Sequence, residues 1–129
     1  MEACKKCCEP HTQLKVIFET GLFAHHYQIY EAAHNMIKAG ADFLKTSTGK
    51  QSKGATLSSM VMLIDAIKEA ADQNQKPIGL KIAGGIRTMQ QVHAYFAIIK
   101  EMLGENYLKP QTFRIGASAL LDELAHYSS

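Results

Sequence analysis

Four short runs rich in β-forming residues recur along this chain: residues 14–20 (LKVIFET), 41–47 (ADFLKTS), 78–83 (IGLKIA) and 112–116 (TFRIG). Each carries a charged side chain in its interior, and that combination limits the fold more than any other feature. Successive side chains on a strand point to opposite faces, so Lys15, Ile17 and Glu19 share one face of the first run. By the same alternation Phe43, Lys45 and Ser47 share a face, as do Gly79, Lys81 and Ala83, and Thr112, Arg114 and Gly116. The opposite faces are mostly apolar. A sheet covered by helices on both sides would have to bury those charges, at several kcal/mol per ion unless paired.

Helical patterns separate these runs. Residues 24–39 place Ile29, Ala33, Met36 and Ile37 on one stripe and stop at Gly40. Thr56 is positioned to cap a second helix, with Met60, Val61, Ile64, Ile67 and Ala71 at helical spacing. Thr88 and Gln91 form a capping box ahead of a predicted buried stripe of Val92, Phe96, Ile99 and Leu103, which Gly104 and Pro110 end. Ser118 is expected to cap a last helix with Asp122 and Glu123 in its first turns, and residues 1–13 read as a helix end halted by Pro10. Strands alternating with helices imply a parallel sheet with right-handed crossovers. Both a doubly wound sheet and part of a (β/α)8 barrel fit that rhythm. The charge alternation favours the barrel, where the apolar face meets the helices and the charges point into the mouth.

Length supports a single domain over residues 1–129. A net charge of +2 is too small to argue for nucleic acid or an anionic membrane as partner. No apolar run approaches the roughly 18 residues of a membrane span, and no signal-peptide centre stands at the N-terminus, so the cytoplasm is the expected compartment. Cys4, Cys7 and Cys8 are an odd, clustered set and make no disulfide framework. With His11 they have a spacing that a metal could use, but no second ligand cluster follows, and the favoured expectation is cysteine as a small buried apolar residue on an amphipathic helix. His25, His26, His34, His93 and His126 read as surface or packing residues.

Two constellations carry chemistry. Lys45 and Lys81 sit in consecutive runs and point to the same side, and neighbouring parallel strands lie about 4.8 Å apart. A lysine beside another cation in a partly desolvated pocket is an accepted route to a Schiff-base nucleophile. Two snorkelling or ion-paired lysines, with Glu19 as counter-ion, remain an open alternative on these grounds. The second constellation is Gly49, Gly84, Gly85 and Gly116, all at or just past the carboxyl end of a run, where α/β proteins bind ligands and glycine lets backbone approach a phosphate. Thr48-Gly49-Lys50 ends like a nucleotide-binding P-loop, but Leu44 and Gln51 stand where that motif needs glycine and a hydroxyl residue.

Four segments, LKVIFETG, GADFLKTSTGK, GLKIAGGIRT and FRIGASALL, occur in an order that closely resembles the deoxyribose-phosphate aldolases. The resemblance implies a class I aldolase that reversibly cleaves 2-deoxy-D-ribose 5-phosphate into acetaldehyde and D-glyceraldehyde 3-phosphate. Lys45 would form the imine, Lys81 would be the second lysine of the proton relay, and Thr48, Gly49, Lys50, Gly84, Gly85, Gly116 and Ser118 would surround the substrate and its phosphate. Ile82 and Ala119 depart from the family pattern, the latter at the cost of a second serine. No metal or organic cofactor is implied, because the protonated imine is itself the electron sink. The match spans only the second half of the family's (β/α)8 barrel, its last four βα units, so self-association or a complementary N-terminal half is the expected partnership. The competing expectation is a non-catalytic half-barrel that binds sugar phosphates or an assembly partner.

Overall fold

The computed structural model describes residues 1–73, 76–120 and 124–125. The strands are β1 (Lys15–Ile17), β2 (Phe43–Lys45), β3 (Gly79–Ala83) and β4 (Phe113–Gly116); the α-helices are α1 (Glu2–Lys6), α2 (His26–Lys38), α3 (Leu57–Asp72) and α4 (Met89–Leu103). One sheet results, in the order β1-β2-β3-β4, with every neighbouring pair parallel. Spatial order therefore repeats chain order without reversal. That is the progression of a (β/α)8 barrel, whereas a doubly wound sheet turns back at a switch point.

Side-chain alternation decides which face the helices cover. Leu44, Leu80 and Ile82 are fully buried against Ile29 and Ala33 of α2, Met60, Leu63 and Ile64 of α3, and Val92 and Ile99 of α4. The other alternation, with Lys45, Lys81 and Arg114, faces away from the helices, as the charge pattern requires. On that face Arg114 lies 4.3 Å from the centre of the Phe43 ring and reaches Gln13, ahead of β1, at 3.4 Å across the curved sheet. The Phe43 ring occupies the space above its register partner Gly79, where a Cβ would come within 2.2 Å of it.

Helix starts follow their caps. The hydroxyls of Thr56 and Thr88 accept the N–H groups of Ser59 and Gln91, satisfying a donor that the first turn of each helix leaves free. At the amino ends of the strands, Asp42 accepts the Leu14 N–H at 2.7 Å and pairs with Lys5 at 2.6 Å and with Lys76. This ties α1 and the loop before β3 to the starts of β1 and β2.

Several expectations need correction. The first strand is shorter than residues 14–20, because Glu19 takes a left-handed conformation and a 3-10 turn (Thr20–Leu22) follows, although the Phe18 and Thr20 N–H groups still reach β2-side carbonyls at 2.9 Å. On α4 it is Tyr95, not Phe96, that is buried; Phe96 is 38% exposed and packs edge-on against Phe113. On α3 the buried position is Ala70, and Ala71 faces solvent. Cys4 and Cys7 are exposed and Cys8 is half-buried, because the short α1 buries none of its residues, so the cysteines are not the packing residues expected. Among the described residues no His/Cys/Asp/Glu group could hold a metal, and no helix is long and apolar enough to cross a membrane. Asp122, Glu123 and His126 lie outside the described residues.

Candidate active site

Lys45 closes β2 and Lys81 stands mid-way along β3, and the register makes them direct partners on the face free of helices. Both are half-buried. The strand ends that carry them are locked together by Thr46, which is fully buried. Its hydroxyl donates to the Ala83 carbonyl at 3.0 Å and accepts the Ala83 N–H at 2.9 Å, while its own N–H donates to the Lys81 carbonyl at 3.1 Å. Hydrogen bonds of this kind at buried positions are costly to break, so the backbone positions of the two lysines are held in register.

Neither lysine forms a salt bridge among the described residues. Glu19, the candidate counter-ion, is engaged elsewhere: its carboxylate accepts the Thr48 N–H at 3.2 Å and the Thr48 hydroxyl at 2.5 Å. It therefore braces the loop after β2. Arg114, another cation on this face, turns toward the amino ends of the strands and donates to the Pro110 carbonyl at 3.0 Å.

A cavity of about 380 Å³ opens at the carboxyl ends of β2, β3 and β4. Lys45, Lys81, Thr48, Gly49, Gly84, Gly85, Gly116 and Ser118, all singled out in the sequence, line this single space. Lys50 belongs to the same loop but is exposed and does not line the cavity; its N–H donates to the Thr48 hydroxyl at 3.2 Å. Ala119 lines the wall without offering a hydroxyl. Sequence reasoning missed Arg87, which adds a third cation to the lining. Its position, between the Gly84-Gly85 turn and the Thr88 cap, was the available signal. Among the described residues the lining contains no acidic side chain, and Lys45, Lys81 and Arg87 give it a field that suits an anion.

The glycines prove to do different things. Gly49 (φ 83) and Gly85 (φ 77) adopt backbone that L side chains rarely enter, and both line the cavity. Gly84 packs against the next loop: a Cβ there would lie 2.9 Å from the Cα of Gly54, and its carbonyl accepts the Ala55 N–H at 3.0 Å. Tyr95 steadies the same loop by donating to the Ala55 carbonyl at 3.2 Å, its phenol pushed up by burial. Gly116 has no unusual backbone requirement, and its reason for being glycine lies in its neighbours.

Four parallel strands in sequential order, with helices on the outer face and a lysine-lined cavity at the carboxyl ends, define half of a (β/α)8 barrel. A profile of the DeoC/LacD family aldolases matches residues 1–126, and the chain belongs to that family. It is 45% identical over 121 residues to a Caenorhabditis elegans protein assigned to deoxyribose-phosphate aldolase, a match covering 94% of this chain and 40% of the relative. It is 41% identical over 120 residues to deoxyribose-phosphate aldolase of Homo sapiens, covering 93% and 37% respectively. A crystal structure assigned to the same enzyme in Toxoplasma gondii ME49 superposes with a TM-score of 0.84 at 26% identity, over 97% of this chain and 49% of that one. The chain thus spans about 40% of the length of these curated relatives and half of the solved barrel.

Proposed function

We propose that this chain carries the Schiff-base and phosphate-binding portion of a class I aldolase acting on 2-deoxy-D-ribose 5-phosphate. The observation that carries the reading is the register pairing of Lys45 and Lys81 within a cavity that holds a third cation and two left-handed glycine turns. A neutral Lys45 amine attacks the open-chain aldehyde carbon and expels water, giving a protonated imine. The imine withdraws the electron pair of the bond between the second and third sugar carbons as the third-carbon hydroxyl loses its proton. Glyceraldehyde 3-phosphate leaves, and the remaining enamine takes up a proton and is hydrolysed to acetaldehyde. Lys81, directly across the register, is the group of this chain that holds or moves a proton at the Lys45 nitrogen. Gly49, Gly85, Ser118 and Arg87 orient the substrate through its phosphate, which the site receives as a dianion.

The test is reduction by borohydride in the presence of acetaldehyde, followed by peptide mapping. A two-carbon adduct on Lys45 supports the reading. Adducts spread over surface lysines, with none on Lys45, would overturn it.

A further inference from the structure

Gly116 is a strand residue: it ends β4, pairs in register with Ala83 and has no left-handed backbone. Glycine in a strand is unfavourable by propensity and marks a place where something approaches closely. What approaches is a side chain. A Cβ built on Gly116 would lie 2.9 Å from Cε of Lys81, 3.1 Å from Cβ of Ala83 and 3.5 Å from Nζ of Lys81. The Lys81 tail therefore runs from mid-β3 toward the carboxyl end of β4, through the volume that any other residue at 116 would fill.

Resting on the function proposed above, we infer that Gly116 is a positioning residue for Lys81, holding open the channel that directs its amine into the cavity. This differs from the role the glycine pattern suggested, in which residue 116 serves only the approach of phosphate to backbone. Gly85 makes the contrast clear. A Cβ on Gly85 meets nothing within 4 Å, so its glycine answers a backbone need; Gly116 answers the needs of a neighbouring amine. The Lys81 tail has no ion-pair partner to redirect it among the described residues, so the wall at Gly116 and Ala83 is what sets its course.

The experiment is a double-mutant cycle on the whole chain, read by the rate of acetaldehyde imine trapping at Lys45 and by affinity for inorganic phosphate. Gly116→Ala should slow trapping by roughly three- to tenfold, because the Lys81 tail must give way by a fraction of an ångström and a full misplacement of about 1 Å at a reacting group costs about a hundredfold. It should change phosphate affinity less than about twofold, and move the pH profile of trapping in the same direction as Lys81→Leu does. In a Lys81→Ala background the tail is gone, so adding Gly116→Ala should cost almost nothing further. The double variant also removes the main clash, which keeps the cycle readable if Gly116→Ala alone folds poorly. Equal losses in both backgrounds, or a loss of phosphate affinity with trapping intact, would overturn the inference. If the wild-type chain traps nothing at Lys45, the function proposed above fails instead. The position of Lys81 is then read from the carbon-13 resonance of its Cε, which Gly116→Ala must shift for the inference to stand.

Discussion

At the scale of single residues, the site separates groups that react from groups that bind. Lys45 ends its strand facing the cavity, with Lys81 in register on one side and the apolar Ile17 on the other. Lys45→Ala should abolish trapping of acetaldehyde at this site, while Lys81→Leu should leave Lys45 present but slow imine formation by roughly 10² to 10⁴, the usual contribution of a positioned proton-transfer group. Trapping rates by mass spectrometry distinguish the two. Arg87 and Gly85 belong to the binding set. Arg87→Ala should lower affinity for glyceraldehyde 3-phosphate by about tenfold or more, the loss expected for a charge-assisted contact, and barely alter trapping of acetaldehyde, which has no phosphate. Gly85→Val should do likewise by filling the approach to the backbone. Calorimetric titration with the phosphorylated aldehyde, set beside trapping rates, reads both variants.

Elements hold the site through two contacts remote from it. Phe43 is buried between Arg114 and the bare Cα of Gly79, two residues before Lys45 and Lys81 on their strands. Gly79→Ala would drive a methyl into the ring and should destabilise the fold by about 1–3 kcal/mol, as overpacking does, with a visible fall in the urea midpoint. Asp42 ties α1 and the loop before β3 to the strand starts. Burial pushes its carboxyl up, but the Leu14 N–H, Lys5 and Lys76 outweigh that and bring it down to about 2 from an ordinary 3.8. A carboxyl lowered in the folded state contributes stability that is complete above its unfolded value and is lost as pH falls through the folded one. The contribution should be on the order of 2 kcal/mol above pH 4–5 and fade between about pH 4 and pH 2. Urea unfolding of wild type and Asp42→Asn should therefore differ at neutral pH and converge near pH 2. A difference that persists at pH 2 would mean that Asp42 stabilises by packing instead.

For the whole molecule, the decisive feature is a curved parallel sheet with two open edges. Within the four-stranded unit β1 and β4 each have a strand on one side only, and exposed parallel edges invite pairing. Beside β4 runs an apolar groove of about 440 Å³ between α4 and the strand, lined by Val92, Phe96, Phe113 and Ile115. Ile17, at the other edge, is 44% exposed. The 129-residue chain by itself should self-associate, or take up a complementary four-strand half, and should cleave 2-deoxyribose 5-phosphate well below the rate of a closed barrel. An open site admits water, and water weakens every charge interaction in it. Sedimentation of the purified chain, and its cleavage rate alone and after refolding with the N-terminal half of a relative, provide the measurement. Full activity from a monomer would refute this.

How much was legible in the sequence depended on the range of the interaction involved. Strand–helix alternation, the caps at Thr56 and Thr88, and the face on which Lys45, Lys81 and Arg114 lie were all readable, because period and capping are local properties of the chain. That is why eight of the nine candidate residues meet in one cavity, Lys50 being the one that does not line it. Choices between adjacent helical positions were not readable: Tyr95 over Phe96 and Ala70 over Ala71 depend on the roll of a helix against the sheet. Cysteine burial on α1 was misjudged because a five-residue helix here offers no face to the core. Arg87 joined the cavity, Glu19 took Thr48 as its partner, and Gly116 gave its space to Lys81 only when loops from separate strands were brought together. Local pattern determined which faces exist and what they carry. Which side chains fill which space between those faces was decided by tertiary packing, since a void or a clash requires two distant pieces of chain in contact.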